Sequence, residues 1–230
     1  MTFDGGPTII GHRGLGGGAG ENTLASLLGA VEAGLSWVEI DVQRTADDRL
    51  ILAHDPVDEA GAFHVDTAAA SGALTLEEVF SALPPHVGVD VDVKTILEDA
   101  LDPRTAPLLK DVLKAEAQRR PLIVTSFDPS VLLALDGTGI PRGLLTWLWF
   151  PIGHAIAAAS GLGLEAVALH TASCDPTPKA RPFPDCVETA HKSGLQVIVW
   201  TPKPESLTPY LAADALVVDD VPGTLKALAR

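Results

Sequence analysis

Apolar positions along the chain fall into two alternating rhythms. Short β-branched or apolar runs at 8–11, 37–42, 89–94, 122–126, 143–146, 166–170, 196–200 and 215–218 predict strands. Between them, apolar residues recur at helical spacing over 23–33, 76–83, 106–118, 130–135, 152–159, 185–192, 205–212 and 223–229. Local signals mark several helix ends. Asn22 is a candidate N-cap for the first helix and Gly34 its stop, Thr75 and Glu78 have capping-box spacing, and Gly194 closes the helix ending at His191 and Lys192.

Strict strand–helix alternation implies a parallel sheet, and eight such units in 230 residues imply a closed (β/α)8 TIM barrel forming one domain over 1–230. The alternative is an open, doubly wound sheet. It usually carries a glycine-rich dinucleotide loop between strand and helix, a context that the glycines between Gly14 and Gly20 lack. One stretch departs from the alternation. After the second strand, a turn at Asp47 and Asp48 followed by Leu50–Leu52 predicts a small β-hairpin, which would bring His54 back above Glu39 and Asp41.

Charge narrows the classes of partner. The balance of 16 basic and 30 acidic residues, a formal −14, argues against nucleic acid and against stable docking on an anionic membrane. The weakly charged run 143–164 is broken by Pro151 and glycines, so it reads as barrel elements rather than a membrane span. Residues 1–7 lack the basic start and apolar core of a signal peptide, which predicts a cytoplasmic protein. Cys174 and Cys186 show no zinc spacing and are expected as free thiols.

The candidate chemistry is concentrated between Ile10 and Asp55. Ile10-Gly11-His12-Arg13-Gly14 is followed by Glu21-Asn22-Thr23, then Val38-Glu39-Ile40-Asp41-Val42, then Ala53-His54-Asp55-Pro56. Residues i and i+2 of a strand share a face, so Glu39 and Asp41 project together and repel unless a cation lies between them. A hard, oxygen-liganded ion is the obvious one. Active sites of these barrels lie at the C-terminal ends of the strands, where His12, Glu39, Asp41, Lys94, His170 and Trp200 all fall.

With Asp92-Val93-Lys94 added, this ordered set resembles the glycerophosphodiester phosphodiesterase family over nearly the whole chain. The resemblance implies metal-dependent hydrolysis of glycerophosphodiesters to sn-glycerol 3-phosphate and an alcohol. It places one divalent cation, Mg²⁺ or Ca²⁺, on Glu39, Asp41 and Asp92; carboxylates suit either ion. The third ligand in the family is usually glutamate, and Asp92 is one methylene shorter. His12 and His54 become the acid–base pair, since imidazole titrates near neutrality. The glycerol 2-hydroxyl is the expected first nucleophile, giving a cyclic phosphate that water opens; which histidine is acid and which is base stays open. Arg13 and Lys94 would neutralise phosphate oxygens, and Asn22 is shared between a cap and a phosphate-binding role. His170 and Trp200 are possible pocket residues. Asp219 and Asp220 resemble the family's closing acids and read as a terminal turn, Glu21 reads as surface, and His64, His86, His154 and His191 carry no motif.

The expected partner is a small glycerophosphodiester or a lysophospholipid. Phospholipase D-like release of a cyclic phosphate from lysolipids is the second enzymatic reading, and a non-catalytic phosphodiester-binding barrel the third; oligomeric state stays open. Two departures from the family bear on substrate range. The segment 57–74 is short, implying a small lid and an open mouth, and Pro202-Lys203-Pro204 replaces a polar turn. Trp147, Trp149 and Phe150 are expected first as helix–barrel packing and second as an apolar shelf at the rim.

Overall fold

The computed structural model describes residues 2–3, 5–17, 20–96, 101–174 and 181–229. Among the described residues nine strands run in chain order: β1 (Thr8–Gly11), β2 (Trp37–Arg44), β3 (Leu50–Leu52), β4 (Gly88–Val93), β5 (Leu122–Ser126), β6 (Arg142–Leu145), β7 (Ala166–His170), β8 (Gln196–Trp200) and β9 (Ala215–Val218). All but β3 pair in parallel, and β1 pairs with both β2 and β9, which closes an eight-stranded barrel. β3 lies outside the ring, antiparallel to the end of β2, as the hairpin pattern predicts. Turn formation follows from the acids there: Asp48 adopts a φ of 61°, and the Thr45 hydroxyl donates to Asp47 Oδ1 at 2.6 Å.

The described helices are α1 (Leu24–Glu32), α2 (Leu76–Ala82), α3 (Thr105–Glu116), α4 (Pro129–Ala134), α5 (Ile152–Gly161), a single turn α6 (Thr171–Cys174), α7 (Phe183–Lys192) and α8 (Val221–Leu228). Thr75 and Glu78 form the expected capping box at α2, and Gly34, with φ 102°, ends the turn after α1. The helix expected over 205–212 is instead two short 3₁₀ turns, Pro204–Ser206 and Thr208–Tyr210. Pro209 has no N–H to donate and its ring crowds the preceding turn, so an α-helix cannot run through it. The N-cap of α1 is Thr23, whose side chain accepts from the Ser26 N–H, not Asn22. Among the described residues no helix is long and apolar enough to cross a membrane, and no disulfide joins Cys174 and Cys186.

Strand alternation divides the core into two parts. Outward residues such as Val38, Ile40, Val42, Val89, Val91 and Val93 pack with the helices in the larger cluster. Inward residues Ile10, Trp37, Ile123, Ala166, Ile198, Ala215 and Val217 form a smaller one with Phe3, whose ring lies 5.0 Å from that of Trp37. The β2–β4 register sets Trp37 beside Gly88, Glu39 beside Asp90 and Asp41 beside Asp92. An apolar plug thus fills one end, and two layers of acids stand above it. Gly88 is required there, because a Cβ would lie 2.3 Å from the Trp37 ring. Gly88→Ala should therefore destabilise the protein by about 1–3 kcal/mol. Urea denaturation checks this, and an unchanged midpoint would show that Trp37 does not plug the barrel.

Candidate active site

The second and fourth strands bury an unusual density of charge. Glu39, Asp41, Asp90 and Asp92 are all buried, and all point inward by strand parity. Such groups are rarely buried unpaired, because desolvation disfavours the charged form. Two cations enter from neighbouring chain ends. Lys94, just past β4, lies 2.8 Å from Asp41 Oδ1 and also contacts Asp92. Arg13, just past β1, places Nε 2.8 Å from Asp41 Oδ2 and Nη1 2.6 Å from Glu21.

Asp41 is the best-compensated of the acids. Burial raises its pKa, but Lys94 and Arg13 together outweigh burial and hold it below the ordinary value. Asn22 adds two bonds: its amide donates to Asp41 Oδ2 at 2.9 Å, and its carbonyl accepts the Asp41 N–H at 3.2 Å. Asn22 has φ 54° and Arg13 φ 52°, both in the left-handed region. The chain accepts that backbone cost where it aims both side chains at Asp41. Asn22 thus belongs to the site rather than to the cap, though it touches a carboxylate.

Glu39 is less well compensated. Its carboxylate accepts a hydrogen bond from the Arg13 backbone N–H at 2.9 Å. Burial, then Asp41 and Asp92, push its carboxyl well above the ordinary range. Burial pushes Asp92 up to about 6 despite Lys94, and Asp90 up to about 7 despite the Thr125 hydroxyl 2.8 Å away. For Lys94, burial is more than offset by Asp92, Asp41 and Glu39, and the ammonium is held above its usual value.

One ligand atom from each of Glu39, Asp41 and Asp92 falls within 4.8 Å of the others. Asp92 Oδ1 is buried with no hydrogen-bond partner among the described residues. A clustered set of oxygens with an unsatisfied buried lone pair suits a hard divalent cation, and the shorter Asp92 still reaches the cluster. The residues present fit the ion.

Two histidines flank this cluster. His12 Nε2 lies 3.8 Å from Glu39 Oε2, while Nδ1 contacts Asp219. The bond from His12 lowers the Asp219 pKa against its partial burial. Asp219 is therefore an orienting partner for His12, not the plain terminal turn expected from the sequence; only Asp220 serves the turn, capping α8 through the Gly223 N–H. Strand parity could have found it, since Val217 points inward and Asp219 is two residues on. His54 arrives on the hairpin, as expected, with Ala53 N–H bonded to the Asp41 carbonyl at 3.2 Å. Its side chain is 47% exposed, and Nδ1 lies 2.9 Å from Asp55. Buried Gln43 donates to the carbonyls of His54, at 3.0 Å, and Asp55, at 2.5 Å. Gln43 thus fixes the backbone that carries His54.

One cavity collects these groups. His12, Arg13, Glu39, His54, Asp90, Asp92 and Lys94 line one side; Phe127, Leu145, Trp147, Leu148, Ile198 and Trp200 line the other. Trp200 is in the wall as expected. His170 is not among the lining residues; it packs edge-on against Trp200 at 4.4 Å, and its Nδ1 accepts the Ala172 N–H. Trp147 and Trp149 are exposed rather than packed between helix and barrel, and only Phe150 of the three packs against the core.

Residues 12–115 match the sequence model of the Glycerophosphoryl diester phosphodiesterase family. The chain is 26% identical over 254 residues to a glycerophosphodiester phosphodiesterase of Caldanaerobacter subterraneus subsp. tengcongensis, covering 96% of this chain and 97% of that protein. It is 29% identical over 107 residues to a Homo sapiens lysophospholipase D, 46% of this chain and 32% of the other. Among solved structures, an Oleispira antarctica phosphodiesterase in complex with its product sn-glycerol-3-phosphate shares the fold with a TM-score of 0.82 at 23% identity, each chain being covered to 97%.

Asn22→Gly keeps the left-handed backbone accessible and removes only the two bonds to Asp41. It should cost about 1–3 kcal/mol in stability, read from urea denaturation. A change within about 0.5 kcal/mol would make Asn22 a turn residue and nothing more.

Proposed function

We propose that this chain is a phosphodiester hydrolase of the glycerophosphodiester phosphodiesterase family, which the match over residues 12–115 and the relative similar along 96% of the chain support, and that it cleaves glycerophosphodiesters to sn-glycerol 3-phosphate and an alcohol with His12 and His54 as the acid–base pair. One observation carries the reading. His12, backed by Asp219, and a three-carboxylate cluster with two cations open onto the same cavity as His54.

Both imidazoles have Nδ1 at a carboxylate, Asp219 for His12 and Asp55 for His54. That engagement leaves Nε2 of each ring as the atom that exchanges protons. The substrate phosphate sits against Arg13 and Lys94, which bind its oxygens as charge accumulates there. The glycerol 2-hydroxyl oxygen then bonds to phosphorus, and its proton passes to one imidazole. The bond to the alcohol oxygen breaks, and the departing alkoxide takes a proton from the other ring. Water opens the cyclic diester with the two roles reversed, which restores both rings to their starting protonation. Glu39, Asp41 and Asp92 would hold one divalent cation. When bound it supplies positive charge beside the phosphoryl oxygens and completes the neutralisation that Arg13 and Lys94 begin.

The charge balance favours this arrangement. The clustered carboxylates outnumber the two side-chain cations that contact them, so a divalent ion adds the positive charge that the site otherwise lacks for a negatively charged diester.

Release of glycerol 3-phosphate from glycerophosphocholine tests the proposal. Activity should vanish with EDTA and return with Mg²⁺ or Ca²⁺. His12→Ala should lower kcat by at least about 100-fold. Metal-independent release, or full activity in His12→Ala, would overturn the mechanism; no release under any metal by folded protein would remove glycerophosphocholine from the substrates. Phosphorus NMR of the product distinguishes the open monoester from a cyclic end product. Asp219→Asn should also lower kcat, by at least about tenfold, with little change in KM. Wild-type kcat in that variant would remove Asp219 from the orientation of His12.

A further inference from the structure

The half of the cavity facing the acids has no part in the chemistry above, yet it is built with care. Phe127 follows β5 and extends the inward parity of Ile123 and Thr125. Its ring stacks on that of Trp147 at 4.2 Å and 20°, and meets Trp200 edge-on at 6.3 Å. Leu148 continues the wall outward. The apolar surface thus begins where the phosphate is bound, with Lys94 Nζ 5.9 Å from the Phe127 centroid, and runs to solvent.

At the rim this surface is displayed rather than packed. Trp147 is 65% exposed and Leu148 49%. Isolated apolar residues on a surface mean little, but a contiguous set at the mouth of a cavity marks a binding surface. Its backbone is held in place. Thr146 N–H bonds to the Ala168 carbonyl at 3.0 Å, and the Trp147 carbonyl accepts from the Phe150 N–H and the Ser173 hydroxyl. Trp149, the next residue but one, has φ 63°, a conformation that bulky side chains avoid.

The chemistry of the wall selects its occupant. A quaternary ammonium prefers the open faces of several rings. Here Phe127 and Trp147 cover each other, and the Lys94 ammonium already lies over Phe127. A second cation would meet like charge, whereas an uncharged apolar group would bury area on both the aromatic edges and Leu148.

We propose that Trp147 and Leu148 form a specificity-determining subsite for an uncharged apolar alcohol on the scissile phosphate, so that the preferred substrates are glycerophosphodiesters of apolar alcohols. This rests on the hydrolytic reading above and adds the substrate class. The test compares glycerophosphooctanol, kept below its micelle concentration, with glycerophosphocholine in the presence of divalent metal. The native protein should favour the octyl ester in kcat/KM. That preference should fall by about tenfold in Trp147→Ala, the scale expected for a lost apolar contact in a specificity pocket. Trp149→Ala is the comparison, because Trp149 is 74% exposed and does not line the cavity; it should keep the preference. Circular dichroism confirms that each variant is folded. Equal use of the two esters, an undiminished preference in Trp147→Ala, or an equal loss in Trp149→Ala each overturns the subsite while leaving hydrolysis in place. Cleavage of neither ester by native protein overturns the hydrolytic reading itself.

Discussion

Four carboxylates on two neighbouring strands, enclosed in a barrel, set the terms for the rest of the molecule. An isolated carboxylate taken out of water costs several kcal/mol even after the surroundings relax. Glu39, Asp41, Asp90 and Asp92 share that cost unevenly. Asp41 is compensated by Lys94, Arg13 and Asn22, Asp90 by a hydroxyl, and Glu39 by a single backbone N–H. Local backbone follows from this need. Arg13 and Asn22, two of the few non-glycine residues with positive φ, are the ones whose side chains reach Asp41. Strain in the loop after β1 is thus linked to charge in β2, and the inequality among the acids leaves Glu39 and Asp92 with the capacity to hold an ion.

The barrel interior is asymmetric for the same reason. Inward positions on β2 and β4 carry acids, while Gly143, Ala166, Ala168 and Ala215 on β6, β7 and β9 are small. Small side chains on one arc and charged ones on the other leave a cavity with a polar and an apolar wall. The proposed phosphate chemistry uses the first wall. The second, ending in Phe127, Trp147 and Leu148, is where the remainder of a substrate can lie. Gln43 and the hairpin then bring His54 over the mouth from outside the ring.

Strand positions were legible because a barrel wall alternates strictly, with valines toward the helices and chemistry toward the axis. Five of the eight ring strands fall at their expected bounds, and the hairpin follows from an Asp-Asp turn between two apolar runs. Helix ends were harder. A helical spacing of apolar residues over 205–212 could not overrule Pro209, and the contest between Asn22 and Thr23 for the cap turned on which side chain a buried aspartate claims. Glu39, Asp41, Asp92, Lys94, Arg13 and both histidines were nameable because they sit in short ordered motifs near one rim. Asp219, Gln43 and Phe127 were not, since each acts through a contact between distant strands that spacing along the chain does not encode. The exposure of Trp147 was hidden for a related reason: apolar composition suits burial and display equally, and only the stacking on Phe127 separates them.

β2 carries more than its share of this design. On one strand, Trp37 plugs the barrel, Glu39 and Asp41 furnish oxygens, and Gln43 anchors the peptide bearing His54. Side chains on a strand alternate with period two, so a single residue inserted or deleted between Trp37 and Glu39 would turn Glu39, Asp41 and Gln43 over together while Trp37 kept its place. Acids would turn toward the helices, valines toward the cavity, and the hairpin's anchor would swing out of reach. Insertions that a loop such as 57–74 can absorb are therefore closed to this strand, and variation along it is confined to exchange of one side chain for another.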